Sequence, residues 1–301
     1  MAGFGCDERT VADWERRAGT HCQQVHTTVV QQGQVDLVHV QADELWVKLV
    51  GRRLWLAMAI AVPSRLWLGG VVSPSRDRAL LARLVAVVRA CALSLAILVC
   101  VDGLAGYVAA FRNGFRTKEQ TGKPGRPKLR PEPGLHIGQV IKQYRQRRVV
   151  SSTTRGVQGT PEQIEAALAQ SGGGQQINTA FIERLNATWR SWLAPLVRRG
   201  RALARQETSL MSSLYLVGCL YNFCTPHASL RERAPVAGGR QWQERTPAMV
   251  AGLTEHCWSV SELLHTRIPP PPWEARKRAG RKPQVPRVWR WALRPHRGVY
   301  L

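Results

Sequence analysis

Three acidic residues, Asp43, Asp102 and Glu183, each lie in or beside an apolar stretch of the sequence. An unpaired carboxylate in such surroundings carries a high desolvation cost, so an acid kept there commonly has a cation to hold. Three converging carboxylates offer the oxygen ligands for one or two hard ions such as Mg²⁺. A pair of such ions can clamp the attacking and the leaving oxygens of a phosphodiester displacement. The acids therefore indicate metal-dependent chemistry on a phosphodiester.

The predicted elements bring these acids together. Asp43 lies on a first strand, and Asp102 ends a buried strand that would pair beside it, so their carboxylates can face each other across roughly 5 Å. Glu183 comes from a later helix that packs on the sheet. Because neighbouring residues of a strand point to opposite faces, we expect only one of Asp43 and Glu44 to be a ligand. We choose Asp43, which shares its face with Leu45, although spacing alone leaves the choice open.

The elements that carry the acids follow from the hydrophobic pattern. Apolar residues alternate with polar ones from Leu37, which predicts a strand. Residues 54–62 and 65–72 predict an antiparallel pair, residues 77–90 a helix, and residues 93–101 a strand covered on both faces. Residues 137–150 suggest one more strand pair, and a helix from Ala180 carries Glu183 until Pro195 bends or breaks it. This order is typical of a ribonuclease-H-like α/β domain, with a mixed sheet flanked by helices.

The remaining segments have other compositions. Residues 7–19 predict one short helix that Gly19 stops. This helix is either the remnant of a truncated helix-turn-helix or an N-terminal helix that packs on the core. We divide the chain into an N-terminal helical segment (1–34), a catalytic core (35–228) interrupted by a basic loop (112–133), a C-terminal extension (229–273) and a basic tail (274–301).

The charge of the chain indicates a polyanionic partner. Its 301 residues include 43 Lys and Arg against 20 Asp and Glu, a formal net charge of +23. In a globular chain this excess favours nucleic acid, and we expect DNA. Arg16 and Arg17 end the only helix that resembles a DNA reader. Lys123, Arg126 and Lys128 lie in the basic loop, where Gly125-Arg126-Pro127 is either close to an AT-hook core or part of a solvated linker.

Four sequence blocks in order resemble the DDE transposases of bacterial insertion sequences, in the group whose first acid lies in Asp-Glu-x-Trp. The blocks are Asp43-Glu44-Leu45-Trp46, Asp102-Gly103-Leu104-Ala105-Gly106-Tyr107, Ile182-Glu183-Arg184-Leu185-Asn186-Ala187-Thr188-Trp189-Arg190 and Tyr221-Asn222-Phe223-Cys224-Thr225-Pro226-His227.

The resemblance implies a ribonuclease-H-like fold in which Asp43, Asp102 and Glu183 are the catalytic, metal-binding triad. It also implies two Mg²⁺ ions, for which Mn²⁺ could substitute, and Asn186 and Arg190 that line the site or bind DNA phosphate. The implied reaction cuts the ends of the element and joins the freed 3′-hydroxyl to target DNA, without a covalent protein intermediate. The implied partners are terminal inverted repeats, target DNA and further copies of the chain on that DNA. The alternative is a truncated, inactive relic that acts at most as a DNA-binding competitor or regulator.

The other candidate sites are weaker. Cys219, Cys224 and His227 could be drawn as a zinc site, but Cys219 falls on an apolar helix stripe, which favours buried thiols. The longest apolar runs are shorter than the ~20 residues of a membrane helix, and no secretory signal opens the chain. We therefore expect a cytoplasmic, nucleoid-associated protein.

Overall fold

A six-stranded mixed sheet forms the centre of the structure, with the strand order β3-β2-β1-β4-β7-β8. The computed structural model describes residues 5–119, 127–146, 148–197, 204, 206–233 and 241–270. The strands of this sheet are β1 (His39–Leu49), β2 (Arg52–Ala61), β3 (Trp67–Ser73), β4 (Leu98–Asp102), β7 (His136–Arg145) and β8 (Arg148–Gln158). Two small pairs complete the strands: β5 (Arg116–Glu119) with β6 (Lys128–Pro131), and β9 (Glu232–Arg233) with β10 (Trp242–Gln243).

Eight α-helices accompany these strands in the described part of the chain. They are α1 (Glu8–Val29), α2 (Arg78–Cys91), α3 (Ala105–Gly114), α4 (Pro161–Ser171), α5 (Ala180–Trp192), α6 (Glu207–Cys219), α7 (Pro247–Val250) and α8 (Val260–His265). None of these helices is both long enough and apolar enough to cross a membrane.

Strand directions divide the sheet into an antiparallel and a parallel part. β2 pairs antiparallel with both β1 and β3, whereas β4 pairs parallel with β1 and with β7. β8 closes the sheet as an antiparallel edge strand beside β7. The residues of β4 before Asp102 are fully buried, as the predicted central strand requires, but the strand begins at Leu98 rather than near residue 93.

Helices cover both faces of the sheet. A Cβ built at Gly69 of β3 would meet Val87 of α2, and one built at the next residue, Gly70, would meet Leu214 of α6. Because neighbouring strand residues face opposite sides, α2 and α6 lie on opposite faces. Residues from the N-terminal helix to Leu263 of α8 share the same hydrophobic core as the sheet.

The N-terminal helix is longer than predicted. It begins at Glu8 but runs through Gly19 to Val29, and Cys22 and Val25 are fully buried. A Cβ at Gly19 would collide with the backbone of Ser212 in α6, so this glycine permits a close approach of two helices instead of ending one. The contacts support the alternative that this helix packs on the core.

The basic interruption also contains regular structure. We expected residues 112–133 to form a loop, but α3 extends to Gly114 and residues 116–119 pair antiparallel with residues 128–131. All of β6 is exposed, so this hairpin contributes no apolar face from which it could have been predicted. Lys123 and Arg126 lie outside the described residues, as do residues 274–301 of the predicted basic tail.

The strand lengths leave a gap in the sheet. β4 ends at Asp102, whose pairing partner in β7 is Val140, while β7 continues to Arg145. On the other side, β1 pairs with β4 only as far as Ala42 and continues to Leu49. The short central strand therefore ends between two longer ones.

Candidate metal centre

Two of the three predicted acids lie where β4 ends. The parallel register pairs Ala42 with Val101, which places Asp43 of β1 beside Asp102 of β4. One carboxylate oxygen from each of Asp43, Glu44 and Asp102 lies within 4.8 Å of the other two. Among the described residues, this is the only group of three or more His, Cys, Asp or Glu side chains that meets this criterion. Such a set of oxygens suits a hard divalent cation.

Glu44 belongs to this group, contrary to the expectation that only one of Asp43 and Glu44 can be a ligand. The two side chains do leave opposite faces of β1, since Asp43 contacts Asn186 of α5 and Glu44 contacts Tyr107 of α3. Strand alternation fixes the direction of each Cβ but not the reach of the carboxylates. β4 pairs with β1 only as far as Ala42, so no strand of the described chain lies along this edge of β1 between the Asp43 and Glu44 carboxylates.

Asp43 is the most strongly perturbed carboxyl group of the site. Its Oδ1 accepts a hydrogen bond from the backbone N–H of Glu44 (2.8 Å), and its Oδ2 accepts one from the Asn186 amide (2.8 Å). Burial raises its pKa to about 7, and the like charges of Glu44, Asp102 and Glu183 add to this effect. A bound cation would favour the ionised form, so this crowding fits a metal site.

Arg76 bridges two of the acids. Its guanidinium forms an ion pair with Oε1 of Glu44 and lies 3.5 Å from Oδ2 of Asp102. The side chain of Glu44 is only 1% exposed, and its Oε2 accepts a hydrogen bond of 2.7 Å from the Tyr107 hydroxyl. Burial and the adjacent Glu44 raise the pKa of Tyr107 well above its ordinary value, so this hydroxyl stays a proton donor. The Arg76 guanidinium and the Tyr107 hydroxyl of α3 thus hold the Glu44 carboxylate in place.

Glu183 lines the same cavity as the other acids but lies outside the 4.8 Å group. It pairs with Lys142 of β7, and the Thr179 hydroxyl donates to the same carboxylate oxygen (2.9 Å). Partial burial raises the pKa of Glu183, but these two donors outweigh burial, so the pKa lies below its ordinary value. Glu183 is therefore an ionised carboxylate beside the cluster, and Lys142 of the same chain neutralises its charge.

The cavity that contains all four acids has a volume of about 820 Å³. Asn186 and Arg190 of α5 line it together with Glu183, as their spacing along one helix face requires. Asn186 is 2% exposed and its amide donates to Asp43, so its position fits support of that carboxylate better than direct contact with DNA. Its Oδ1 is buried and has no hydrogen-bond partner within the described structure.

Gln41 fixes the helix of Glu183 to the strand of Asp43, a role that the sequence analysis missed. Its Oε1 accepts hydrogen bonds from the backbone N–H groups of Phe181 (2.9 Å) and Ile182 (3.1 Å), and its Nε2 donates to the Asn178 carbonyl (2.8 Å). The sequence carries no signal for this role, because Gln41 falls on a polar position of an alternating strand and its full burial is seen only in the structure.

A second glutamine supports the end of β4. Gln139 of β7 is fully buried and donates from Nε2 to the carbonyl of Asp102 (3.2 Å). Arg155 of β8 donates to its Oε1 from two nitrogens, at 3.2 and 2.8 Å. The backbone of Asp102 is thus connected through Gln139 to an arginine on the edge strand.

The predicted DNA-binding cations that the structure describes lie on different elements, α1, β6 and α5. Arg16 and Arg17 are exposed on α1, where Arg16 pairs with Asp13 at 2.6 Å and Arg17 lies 3.9 Å from it. Lys128 is exposed at the start of β6. DNA binding by these residues stays a prediction.

Unlike the acids, the candidate zinc residues Cys219, Cys224 and His227 are not among the groups of described side chains that could hold a metal ion. Cys219 is fully buried at the end of α6, and its thiol donates to the carbonyl of Cys22 at 3.2 Å. The ring of His227 packs edge-on against Tyr221, with 4.5 Å between ring centroids. Cys219 is thus a buried thiol, as its apolar helix stripe predicts, whereas Cys224 and His227 are partly exposed.

No protein-family model matches this chain, and no curated protein has a significantly similar sequence.

Proposed function

We propose that the protein is a DNA transposase of the DDE class, which cuts DNA strands and joins them to a target with the help of divalent cations. The observation that carries this proposal is the meeting of Asp43, Glu44 and Asp102 at the end of β4, in a cavity that also contains Glu183. The whole chain has a formal net charge of +23, which suits a polyanionic substrate.

The architecture supports this proposal. The order β3-β2-β1-β4-β7, with β2 antiparallel and β4 and β7 parallel to β1, is compatible with a ribonuclease-H-like fold. In our proposal, the two strands that carry Asp43 and Asp102 and the helix that carries Glu183 then have the same roles as in that class of enzyme.

Each residue of the cavity has a distinct part in the proposed reaction. Asp43, Glu44 and Asp102 would hold the cation, and Glu183 would join them when Lys142 is drawn away by a phosphate. Asn186 keeps the Asp43 carboxylate oriented, and Tyr107 and Arg76 do the same for Glu44. Mg²⁺, when bound, supplies Lewis-acid stabilisation of the charge that develops on the phosphoryl oxygens.

The proposed reaction has two phosphoryl transfers. In the first, the oxygen of water bonds to phosphorus and the bond to the 3′-oxygen breaks, which leaves a 5′-phosphate and a protonated 3′-hydroxyl. In the second, that 3′-oxygen bonds to a phosphorus of the target and displaces the target's own 3′-oxygen. The number of phosphodiesters is conserved in the second step, so no external energy source is required.

The test is nicking of supercoiled plasmid by the wild-type chain, by Asp102→Asn and by a control, Glu165→Gln, which alters an exposed acid on α4. We expect nicking in Mg²⁺ or Mn²⁺ by the wild type and the control, and none in EDTA. Asp102→Asn should lose at least about 100-fold in rate, because a ligand charge is removed from the cation. Unchanged nicking by Asp102→Asn would contradict the proposal.

A second candidate, a DNA-binding competitor without catalytic activity, is favoured by one observation. Arg76 and Lys142 already pair with Glu44 and Glu183, which neutralises two of the four carboxylates. This candidate requires DNA binding that is the same in Mg²⁺ and in EDTA, and no nicking by the wild type. The plasmid experiment therefore separates the two candidates.

A further inference from the structure

The β7–β8 hairpin extends past the acidic cavity. β7 is buried from Ile137 to Val140, and it becomes exposed over residues 143–145, beyond the end of β4. Residues 141–145 add ~16 Å of strand beyond the level of Asp102. β8 pairs with this extension as far as Arg148, and it is exposed through Gly156. We call residues 141–146 and 148–155 the arm.

The composition of the arm is unusual for an exposed edge. Residues 133–161 contain no Asp or Glu, so no acid of the hairpin itself offsets the charge of the arm, and Lys142 pairs with Glu183 of α5. Its cations are Lys142, Arg145, Arg148 and Arg155, and Arg147 lies outside the described residues. Residues 151–154 are all Ser or Thr and are exposed, and Tyr144 is 65% exposed. Cations, hydroxyl groups and an exposed aromatic ring are the groups that bind phosphates and stack on bases.

The arm begins at the site itself. Lys142 and Tyr144 line the same cavity as Asp43 and Glu183. A strand whose phosphate lies among the acids would therefore continue along the arm. Phosphates of one DNA strand are about 3.4 Å apart along the helix axis, so ~16 Å of hairpin spans about five of them.

We infer that the arm is a DNA-binding surface, which holds the phosphate backbone next to the position that is cut. This inference rests on the proposed function for the identity of the reaction, but the arm would bind DNA whether or not the acids catalyse cleavage. It adds residues of β7 and β8 to the DNA-contacting surface, whereas the sequence predicted that role for α1, the basic loop, Asn186 and Arg190.

A second copy of the chain is the other partner that an exposed edge strand can take. Val149 and Val150 are more than half exposed, and no strand among the described residues pairs with the outer edge of β8. The charge argues against this partner, because two arms paired edge to edge would bring arginines of like charge together. Phosphate complements the same charge, so we favour DNA.

The test compares Arg145→Gln/Arg148→Gln with a control, Arg89→Gln/Arg267→Gln, which removes the same charge at the end of α2 and after α8. The probe is a random-sequence duplex, followed by fluorescence anisotropy in EDTA over a salt series, so that no cleavage takes place. We expect the log–log salt slope of the arm variant to become shallower by about 2, since each lost phosphate contact removes about 0.9. The control should keep a slope close to that of the wild type.

Two outcomes would overturn the inference. Equal slopes for the arm variant and the control would show that the arm makes no phosphate contact. An unchanged slope with altered sedimentation of the arm variant would assign β8 to pairing between copies. Thermal melting of the arm variant and of the control variant identifies a folding defect separately. Plasmid nicking by the wild type in Mg²⁺ is measured in parallel, and its absence would contradict the proposed function without affecting the slopes.

Discussion

Gln41 and Asn186 connect the strand that carries Asp43 to the helix that carries Glu183. Gln41 accepts hydrogen bonds from the N–H groups of Phe181 and Ile182, which have no partner within α5. Asn186 of the same helix donates to Asp43. The separation of the carboxylates thus depends on two neutral amides. A change in either amide should affect the site without changing its charge.

The first prediction concerns Gln41→Leu. This substitution leaves the N–H groups of Phe181 and Ile182 without an acceptor, so we expect a loss of about 2–3 kcal/mol in the free energy of unfolding. Gln143→Leu makes the same change at an exposed position of β7 and should alter stability by less than about 0.5 kcal/mol. Urea unfolding measures both values, and equal losses would show that Gln41 does not cap α5.

A second prediction concerns pH. His26 is fully buried between the rings of Trp67 and Tyr215, and burial lowers its pKa from 6.5 to about 4. Between about pH 4 and pH 6.5, His26 therefore binds a proton in the unfolded chain but not in the native chain. The free energy of unfolding should then fall as the pH drops from about 6.5 to about 4, by ~3 kcal/mol from this residue alone.

The measurement is the number of protons taken up on unfolding at about pH 5. His26→Leu should take up about 0.9 proton fewer than the wild type. This difference does not depend on how much the substitution destabilises the fold. The same uptake in both proteins would mean that His26 is already charged in the native state.

The residues of the site were only partly predictable. The sequence indicates Asp43 and Asp102 because an acid in an apolar strand is costly, and both lie in the acidic cluster. It does not reveal Glu44 as a member, because strand alternation describes side-chain directions and says nothing about where a neighbouring strand ends. The partners of the acids, Arg76, Tyr107 and Lys142, come from other elements, and no local pattern marks them.

At the scale of elements, the unequal lengths of β1, β4 and β7 create the cavity. β4 stops at Asp102 while its neighbours continue, so the carboxylates meet at a gap and not on a continuous sheet surface. α5 closes one side through Gln41, and α3 closes the other through the bond from Tyr107 to Glu44. The site thus depends on β4 ending at Asp102, before β1 and β7 end.

The third prediction concerns the packing of α1 on α6. Alanine is a better helix former than glycine by about 1 kcal/mol, which alone would make Gly19→Ala stabilising. Because the added Cβ would meet the backbone of Ser212, we expect instead a net loss of about 2 kcal/mol. Thr20→Ala, on the exposed side of the same turn, should change stability by less than about 0.5 kcal/mol. A stabilising effect of Gly19→Ala, seen in urea unfolding, would contradict this packing.

The elements with strong hydrophobic periodicity were predictable, and the exposed ones were not. The pairing of β2 with β3 and the helix α2 follow from regular apolar spacing, and Asp77 caps α2 as expected of an N-cap residue. β8 is exposed along nearly its whole length and its valines do not alternate with polar residues, so its extent to Gln158 left no periodic signal. Thr160 and Gln163 form a capping box at the start of α4, a local signal from which that helix could have been predicted.

At the scale of the whole molecule, an acidic cavity lies in a strongly basic chain. The net charge of +23 attracts a polyanion, whereas the four carboxylates of the cavity repel one unless cations are present. In the proposed function, a divalent cation would resolve this conflict, because it would bind the carboxylates and the phosphate together. The fold class was predictable at the level of a mixed sheet flanked by helices, since it follows from the order of apolar segments.

The location of that cation is the most direct test of the proposed chemistry. Fe²⁺ can replace Mg²⁺ at carboxylate sites, and the hydroxyl radicals formed when bound Fe²⁺ reduces added hydrogen peroxide cut the protein backbone near the ion. We predict fragments that end near residues 43–44, 102 and 183, suppressed by excess Mg²⁺ and lost in Asp43→Asn. Fragments that end near residues 219–227 instead, or cutting that Mg²⁺ does not suppress, would contradict a cation site formed by these acids.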